Sequence, residues 1–271
     1  MTEQFDTVIL GAGAAGMMCA AHADGRVLVL DHAKAPGEKI RISGGGRCNF
    51  TNMYCEADRF LSMNPNFAKS ALARYTHWDF LDLVQRHRID WHEKTLGQLF
   101  CDHSAKDIIA MLLAEMSRAD LWLQEGLSEI RAVTGGFALQ MTSGGEVFAR
   151  HLVTACGGKS IPKMGATGYG YEIAARFGHD IIEIRPALVP LTFSGAQKEA
   201  FAGIAGIAVD VRATAGGASF DEAMLFTHRG LSGPAILQIS SYWREGDSVA
   251  LDLMPGHDAL AALQSARKVA P

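Results

Sequence analysis

The stretch DTVILGAGAAGMMCAAHADGRVLVLD, from Asp6 to Asp31, constrains this chain more than any other. An apolar run, a glycine-rich turn, a small-residue helical stretch and a second apolar run make a βαβ unit. Both apolar runs are continuous rather than alternating. That predicts strands covered on both faces, as in a parallel sheet with helices packed against it. Gly11, Gly13 and Gly16 stand in the G-x-G-x-x-G spacing where the first strand hands over to the helix. In that pattern Gly11 makes the tight turn, Gly13 lets the backbone approach a pyrophosphate, and Gly16 lets the helix lie close on the strand. Asp31, twenty residues beyond Gly11, stands where a carboxylate accepts from the hydroxyls of an adenosine ribose. The spacing alone does not separate NAD from FAD.

The segment after Asp31 bears on that choice. HAKAPGEKIRISGGGRCNFTN is a long, glycine-rich, basic excursion where a simple dehydrogenase goes directly into its next helix. Such a loop can offer several backbone amides, with Lys39, Arg41 or Arg47, to a second and larger part of a ligand. A flavin-free NAD dehydrogenase leaves it unexplained.

Further along, NFAKSALARYTHWDFLDLVQRHR and AKDIIAMLLAEMSRA carry apolar residues at helical spacing and predict two helices, with Asn64 or Asn66 as a cap. IDWHEK and DLWLQE read as short strands. LSEIRAV, FALQMTS and EVFARHLVTAC, parted by TGG and SGG turns, predict an antiparallel meander returning to the sheet. GYGYEIAARFG reads as a helix stopped by Gly178, and a boundary is expected near Pro186 to Pro190. The expected organisation is an α/β, Rossmann-like domain over residues 1–189, a β-rich, barrel-like second domain over 190–253, and the start of a helical lobe over 254–271.

Charge and cysteine usage narrow the partners. With 25 basic against 29 acidic residues the net charge is -4, which gives no electrostatic footprint for nucleic acid or an anionic membrane, so neither is expected as a partner. The 5 cysteines are odd in number and scattered, and no basic-apolar leader opens the chain, which points to a reducing cytoplasm. The longest apolar runs fall well short of a bilayer span. No C-x-x-C pair occurs, and HEKTL has Leu96 where a zinc protease needs its second histidine, so no metal is expected.

The opening βαβ unit, GEKIRISGGGRCNFTN, LVTACGGKSIPKMGATGYGYEIA, RPALVPL and LFTHRGLSGPAIL together resemble the BaiN/RdsA-type family of NAD(P)/FAD-dependent oxidoreductases, also met as YhiN-type flavoproteins. The resemblance runs in order from about Asp6 to about Leu263. It implies FAD bound in an extended conformation. By it Gly11, Gly13, Ala14, Ala15 and Gly16 sit on the pyrophosphate, Asp31 on the adenosine ribose, and the backbone of Leu127 at the adenine. Thr154, Ala155 and Gly157 match the strand-end element. Lys39 and the loop of Ser43, Gly44, Gly45, Gly46, Arg47, Cys48 and Asn49 lie toward the flavin. There, backbone amides and Arg47 would stabilise the negative charge of a reduced flavin. Cys48 reads as inert packing rather than a reactive thiol. His228, on a turn with Ser232, suits proton transfer, against the plainer reading of a structural turn.

The leading functional expectation is therefore an FAD-dependent enzyme that transfers hydride from NADH or NADPH to a small organic acceptor. A nucleotide-binding protein without turnover is the alternative, and an RNA-modifying flavoprotein is disfavoured by the acidic balance. No second dinucleotide fingerprint distinguishes NADH from NADPH, and oligomeric state is open. Members of the resembled family continue beyond residue 271 into a helical lobe and a closing segment of the FAD domain, so weakened FAD binding is expected of this form.

Overall fold

A computed structural model describes residues 2–261, 263 and 264. The chain divides into two compact units, Met1–Ile181 and Ile182–Pro271.

In the first unit the opening apolar run is β1 (Glu3–Leu10), the small-residue stretch α1 (Ala14–His22), and the second apolar run β2 (Val27–Asp31). Then come α2 (Glu38–Ile42), β3 (Asn49–Asn52), α3 (Lys69–Arg74), α4 (His77–Arg86), β4 (Trp91–Glu93) and β5 (Gln98–Cys101). They are followed by α5 (Ala105–Glu115), β6 (Asp120–Leu123), β7 (Leu127–Val133), β8 (Gly136–Met141), β9 (Glu146–Thr154) and α6 (Tyr169–Arg176). Six strands form one mixed sheet in the order β6-β2-β1-β9-β8-β7. The β6, β2, β1 and β9 neighbours are parallel, and the β9-β8-β7 meander is antiparallel.

The unbroken apolar runs are split by the two-residue pleat of a strand. Ile9, Val27 and Val29 join a core with Met17 of α1 and Ile108, Met111 and Leu112 of α5. Val8, Leu10, Leu28 and Leu30 join a second core with Leu139 of β8 and Ile173 of α6. Every one of these strand residues is buried, as expected of strands sandwiched between layers.

Two local expectations are corrected. The helical pattern from Asn66 to Arg88 is not one helix, because Thr76 starts a new one. Its Oγ1 accepts from the Asp79 N–H (3.2 Å), and Asp79 Oδ2 accepts from the Thr76 N–H (2.7 Å), a reciprocal cap that fixes the start of α4. Neither Asn64 nor Asn66 caps a helix: the N-cap of α3 is Ala68, and the Asn64 Oδ1 accepts from the Asn66 N–H (3.0 Å) in a turn before it. The glycine excursion is also more ordered than a surface loop. It runs through α2 and a tight turn at Ser43–Gly46 into β3, which pairs with β5 in a separate β3-β5-β4 sheet.

The second unit holds β10 (Leu191–Thr192), α7 (Gly195–Phe201), β11 (Ala208–Ala215), β12 (Ala218–Thr227), β13 (Gly230–Ser232), α8 (Pro234–Ile239) and β14 (Ala250–Asp252). Its antiparallel sheet has the order β10-β13-β12-β11-β14. α8 buries Ala235, Ile236 and Ile239 against Val211, Ala213 and Met224 of that sheet. Helical backbone begins again at Ala259, and residues 262 and 265–271 of the lobe expected over 254–271 lie outside the described residues.

Candidate dinucleotide-binding site

The carboxyl ends of β1 and β9 open into a cleft of about 560 Å³ in the first unit. Three glycines at its edge have three different physical reasons. Gly11 holds φ +112°, and a Cβ there would meet the Ala155 carbonyl oxygen at 2.5 Å. A Cβ on Gly16 would land on the Gly11 carbonyl oxygen, so only glycine lets α1 lie this close to the strand end. Gly13 differs: its φ of -85° suits any residue, and a Cβ would meet no protein atom within 4 Å. Its bareness serves the space of the cleft, not the packing of the fold.

Gly13 also caps α1 without a side chain, and no acidic residue stands in the first turn. The first amides of the helix, from Ala14 onward, have no intrahelical acceptor and carry the positive end of the helix dipole. Such an end suits an anion. Asp31 braces the turn from the other side: its Oδ2 accepts from the Ala12 N–H (2.6 Å) and its Oδ1 from the Ala33 N–H (2.8 Å). Each oxygen keeps a lone pair for a further donor such as a ribose hydroxyl. Across the cleft, Lys39 of α2 reaches the loop after β9. Its Nζ donates to Ser160 Oγ (2.9 Å) and to the Gly158 carbonyl oxygen (3.3 Å).

Nine residues singled out in the sequence converge here: Gly11, Gly13, Ala14, Ala15, Asp31, Lys39, Thr154, Ala155 and Gly157 all line the cleft. Gly16 lies just beneath it. Sequence reasoning missed His32, Cys156, Gly165 and Tyr171, which also line it. The His32 ring approaches Asp31 Oδ1 (Nδ1 at 3.5 Å) and packs beneath Gly165. Its position directly after the ribose carboxylate was the available signal. Cys156 sits within TACGG, and burial together with nearby Asp31 pushes its thiol pKa upward.

The remaining residues lie elsewhere. Ser43, Gly44, Gly45, Gly46, Arg47, Cys48, Asn49 and Leu127 do not line this cleft. In the glycine turn Gly44, Gly45 and Gly46 hold φ of +55°, +66° and +87°, and Cys48 holds +51°. Arg47 is exposed there while Cys48 is buried. Burial pushes the Cys48 thiol upward and that of its core neighbour Cys101 up to about 12. The Leu127 carbonyl oxygen accepts from the Tyr169 hydroxyl (3.5 Å). His228 belongs to the second unit, in the turn between β12 and β13, where Thr227 Oγ1 accepts from the Arg229 (3.2 Å) and Gly230 (3.1 Å) amides. Among the described residues no helix is long and apolar enough to cross a membrane.

Residues 5–228 match the family model described as HI0933-like protein Rossmann domain. Ribosomal RNA dihydrouridine synthase of Escherichia coli strain K12 is 50% identical over 276 residues, covering 99% of this chain and 68% of that protein. The protein of the same name from Haemophilus influenzae is 44% identical, covering 100% of this chain and 70% of its own length. The 3-dehydro-bile acid delta(4,6)-reductase of Clostridium scindens is 28% identical, covering 93% and 65% respectively. The first two names overturn the expectation that nucleic acid is excluded as a partner. That expectation rested on the net charge of -4, a whole-chain average that is blind to how charge is distributed over the surface.

Proposed function

The chain belongs to the HI0933-like Rossmann family, and from that premise we propose that it is an FAD-dependent reductase whose acceptor is a uridine of ribosomal RNA. The observation that carries the cofactor half is the cleft. An open place beside Gly13, the uncapped amides of α1 and the Asp31 carboxylate converge there, and they fit a pyrophosphate joined to a ribose. The acceptor half is carried by the two relatives at 50% and 44% identity that are named for dihydrouridine synthesis. When bound, FAD supplies hydride transfer from a reduced nicotinamide to a carbon–carbon double bond conjugated with a carbonyl. Saturating the C5–C6 bond of uridine and reducing a bile-acid enone are both of that type.

This chain's own residues bind and orient. The α1 amides from Ala14 to Gly16 hold the pyrophosphate, Gly13 gives it room, and Asp31 accepts from the adenosine ribose. Lys39 ties α2 to the loop after β9 and so sets the width of the cleft. The Ser43–Asn49 turn stands outside this cleft, as a segment serving the flavin end of an extended cofactor would. Arg47 offers an exposed cation there. His228 is the candidate for holding the proton that the acceptor takes up, and His228→Gln tests it by the pH profile of turnover.

The experiment is an anaerobic spectral titration of the FAD-loaded chain with NADH and with NADPH. The FAD that the loaded chain holds is expected to be bleached by one or both nicotinamides. A chain that binds no FAD, or whose bound flavin neither nicotinamide reduces, contradicts the proposed function.

A further inference from the structure

The ring of His32 stands in the cleft beside the Asp31 carboxylate, with Nδ1 3.5 Å from Asp31 Oδ1. Its side chain is 68% exposed and joins no hydrophobic core among the described residues, so core packing does not account for an imidazole at this position. The loop after β9 comes to meet that ring. A helical turn at Pro162–Met164 is closed by Gly165, which holds φ +76° and whose N–H donates to the Pro162 carbonyl oxygen (3.0 Å). Ala166, next in the chain, is buried and anchors the loop at that point.

The way the loop meets the ring leaves its faces free. A Cβ on Gly165 would run into His32 Nε2 and lie an equal 3.4 Å from Cδ2 and Cε1, so the loop touches the tip of the imidazole and not its face. A larger residue at 165 would push the ring from its place. With Nε2 against the loop and Nδ1 toward Asp31, both nitrogens are turned to the protein. Asp31 is itself held by the Ala12 and Ala33 amides (2.6 and 2.8 Å). A ligand that bonds this carboxylate therefore lies next to a fixed, flat ring.

We propose that His32 is the residue by which the cleft selects adenine, its face being the surface on which the adenine of the ligand stacks. The α1 amides recognise phosphate by charge and Asp31 recognises a ribose by its hydroxyls, and neither distinguishes one base from another. Imidazole is among the rings on which bases stack. Beside the ribose carboxylate it supplies the missing distinction, because a two-ring purine covers more of such a surface than a one-ring pyrimidine. The inference rests on the reading of the cleft as a dinucleotide site and gives its adenosine end a selecting residue.

The test uses the full chain and isothermal titration calorimetry with ADP and with UDP, which share ribose and pyrophosphate and differ in the base. The parent is expected to prefer ADP. His32→Ala should weaken ADP about tenfold and UDP about threefold, so that the preference narrows. His32→Phe, which keeps a flat ring, should keep the preference. Gly165→Ala should copy His32→Ala, and the two changes together should weaken ADP no further than His32→Ala alone, as residues acting through one contact do. Urea unfolding of each variant measures separately the strain that alanine brings at φ +76°. A parent that binds ADP and UDP alike or binds neither, a preference that survives His32→Ala, or one lost in His32→Phe overturns the proposal. FAD is titrated in parallel. ADP binding that depends on His32, in a chain that takes up no FAD, keeps this inference and removes the flavin reading. FAD binding untouched by His32→Ala keeps the flavin reading and removes this inference.

Discussion

Two regions of the first unit use their residues in opposite ways. At the mouth of β1 nearly every atom is accounted for by a neighbour: Gly11 by the Ala155 carbonyl, Gly16 by the Gly11 carbonyl, and Asp31 by two amide donors at 2.6 and 2.8 Å. Between Cys48 and Leu81 no side chain is buried and large rings face solvent. The first region is determined from within the fold. The second keeps most of its rings at the surface, with Phe50 and Phe80 packed only partly against the core. A site made by backbone approach leaves a strict spacing in the sequence, whereas an exposed stretch leaves only a composition.

The sharpest way to break this contrast lies in two glycines at the start of α1, its cap Gly13 and Gly16, that look alike in sequence. Gly16→Ala drives a methyl group into backbone and should cost about 3 kcal/mol in urea unfolding, as overpacking of an unyielding site does. An unchanged midpoint would mean that α1 can slide away from the strand. Asp31→Asn comes next. It removes one charge-assisted acceptor from the Ala12–Ala33 turn and should cost about 2 kcal/mol, with FAD affinity falling alongside. Calorimetric unfolding with and without FAD separates the two effects. Gly13→Ala should change stability by about 1 kcal/mol or less, since only the cap is altered, yet weaken FAD binding about tenfold by crowding the cleft. If Gly13→Ala binds FAD normally, the pyrophosphate does not lie where we place it.

The smallest effect belongs to the turn after β6, which stands outside both regions. The Glu125 carboxylate accepts from the Thr142 and Ser143 hydroxyls and from the Gly126 and Ser143 amides. Those bonds hold its pKa down at about 2, below the ordinary 4.5. A folded value below the unfolded one means that the stabilisation is complete above about pH 4.5 and fades as pH falls toward 2. Glu125→Gln should therefore be less stable than the parent at neutral pH by well under the Gly16→Ala effect. The gap should close on acidification through that window in denaturant titrations. A gap independent of pH would show that the carboxylate's charge is not what the turn uses.

Much of the first region was legible because spacing encodes it. Gly11, Gly13, Gly16 and Asp31 stand at the turn and strand end that the βαβ spacing predicts, the Thr154–Gly157 strand end was implied only by the family resemblance, and the split of the apolar runs into two cores is a consequence of the strand pleat. Residues brought in by tertiary packing were not legible. Tyr171 reaches the cleft through the fold, and Gly165 only because the loop after β9 turns back over it. The break at Thr76 was readable in principle from Thr76 and Asp79 at cap spacing, but the helical periodicity across it masked the signal. The exclusion of nucleic acid failed for a related reason, since a net charge says nothing about how charge is distributed over the surface.

One measurement addresses the cleft and its acceptor together. The FAD-loaded chain is reduced anaerobically with a limiting amount of nicotinamide and then mixed with protein-free ribosomal RNA. Flavin absorbance and dihydrouridine are followed in the same sample. Flavin colour is expected to return without oxygen, with one dihydrouridine formed for each flavin reoxidised. Flavin that stays reduced in the presence of the RNA, or regains its colour with no dihydrouridine formed, would contradict an RNA uridine as the acceptor of this flavin.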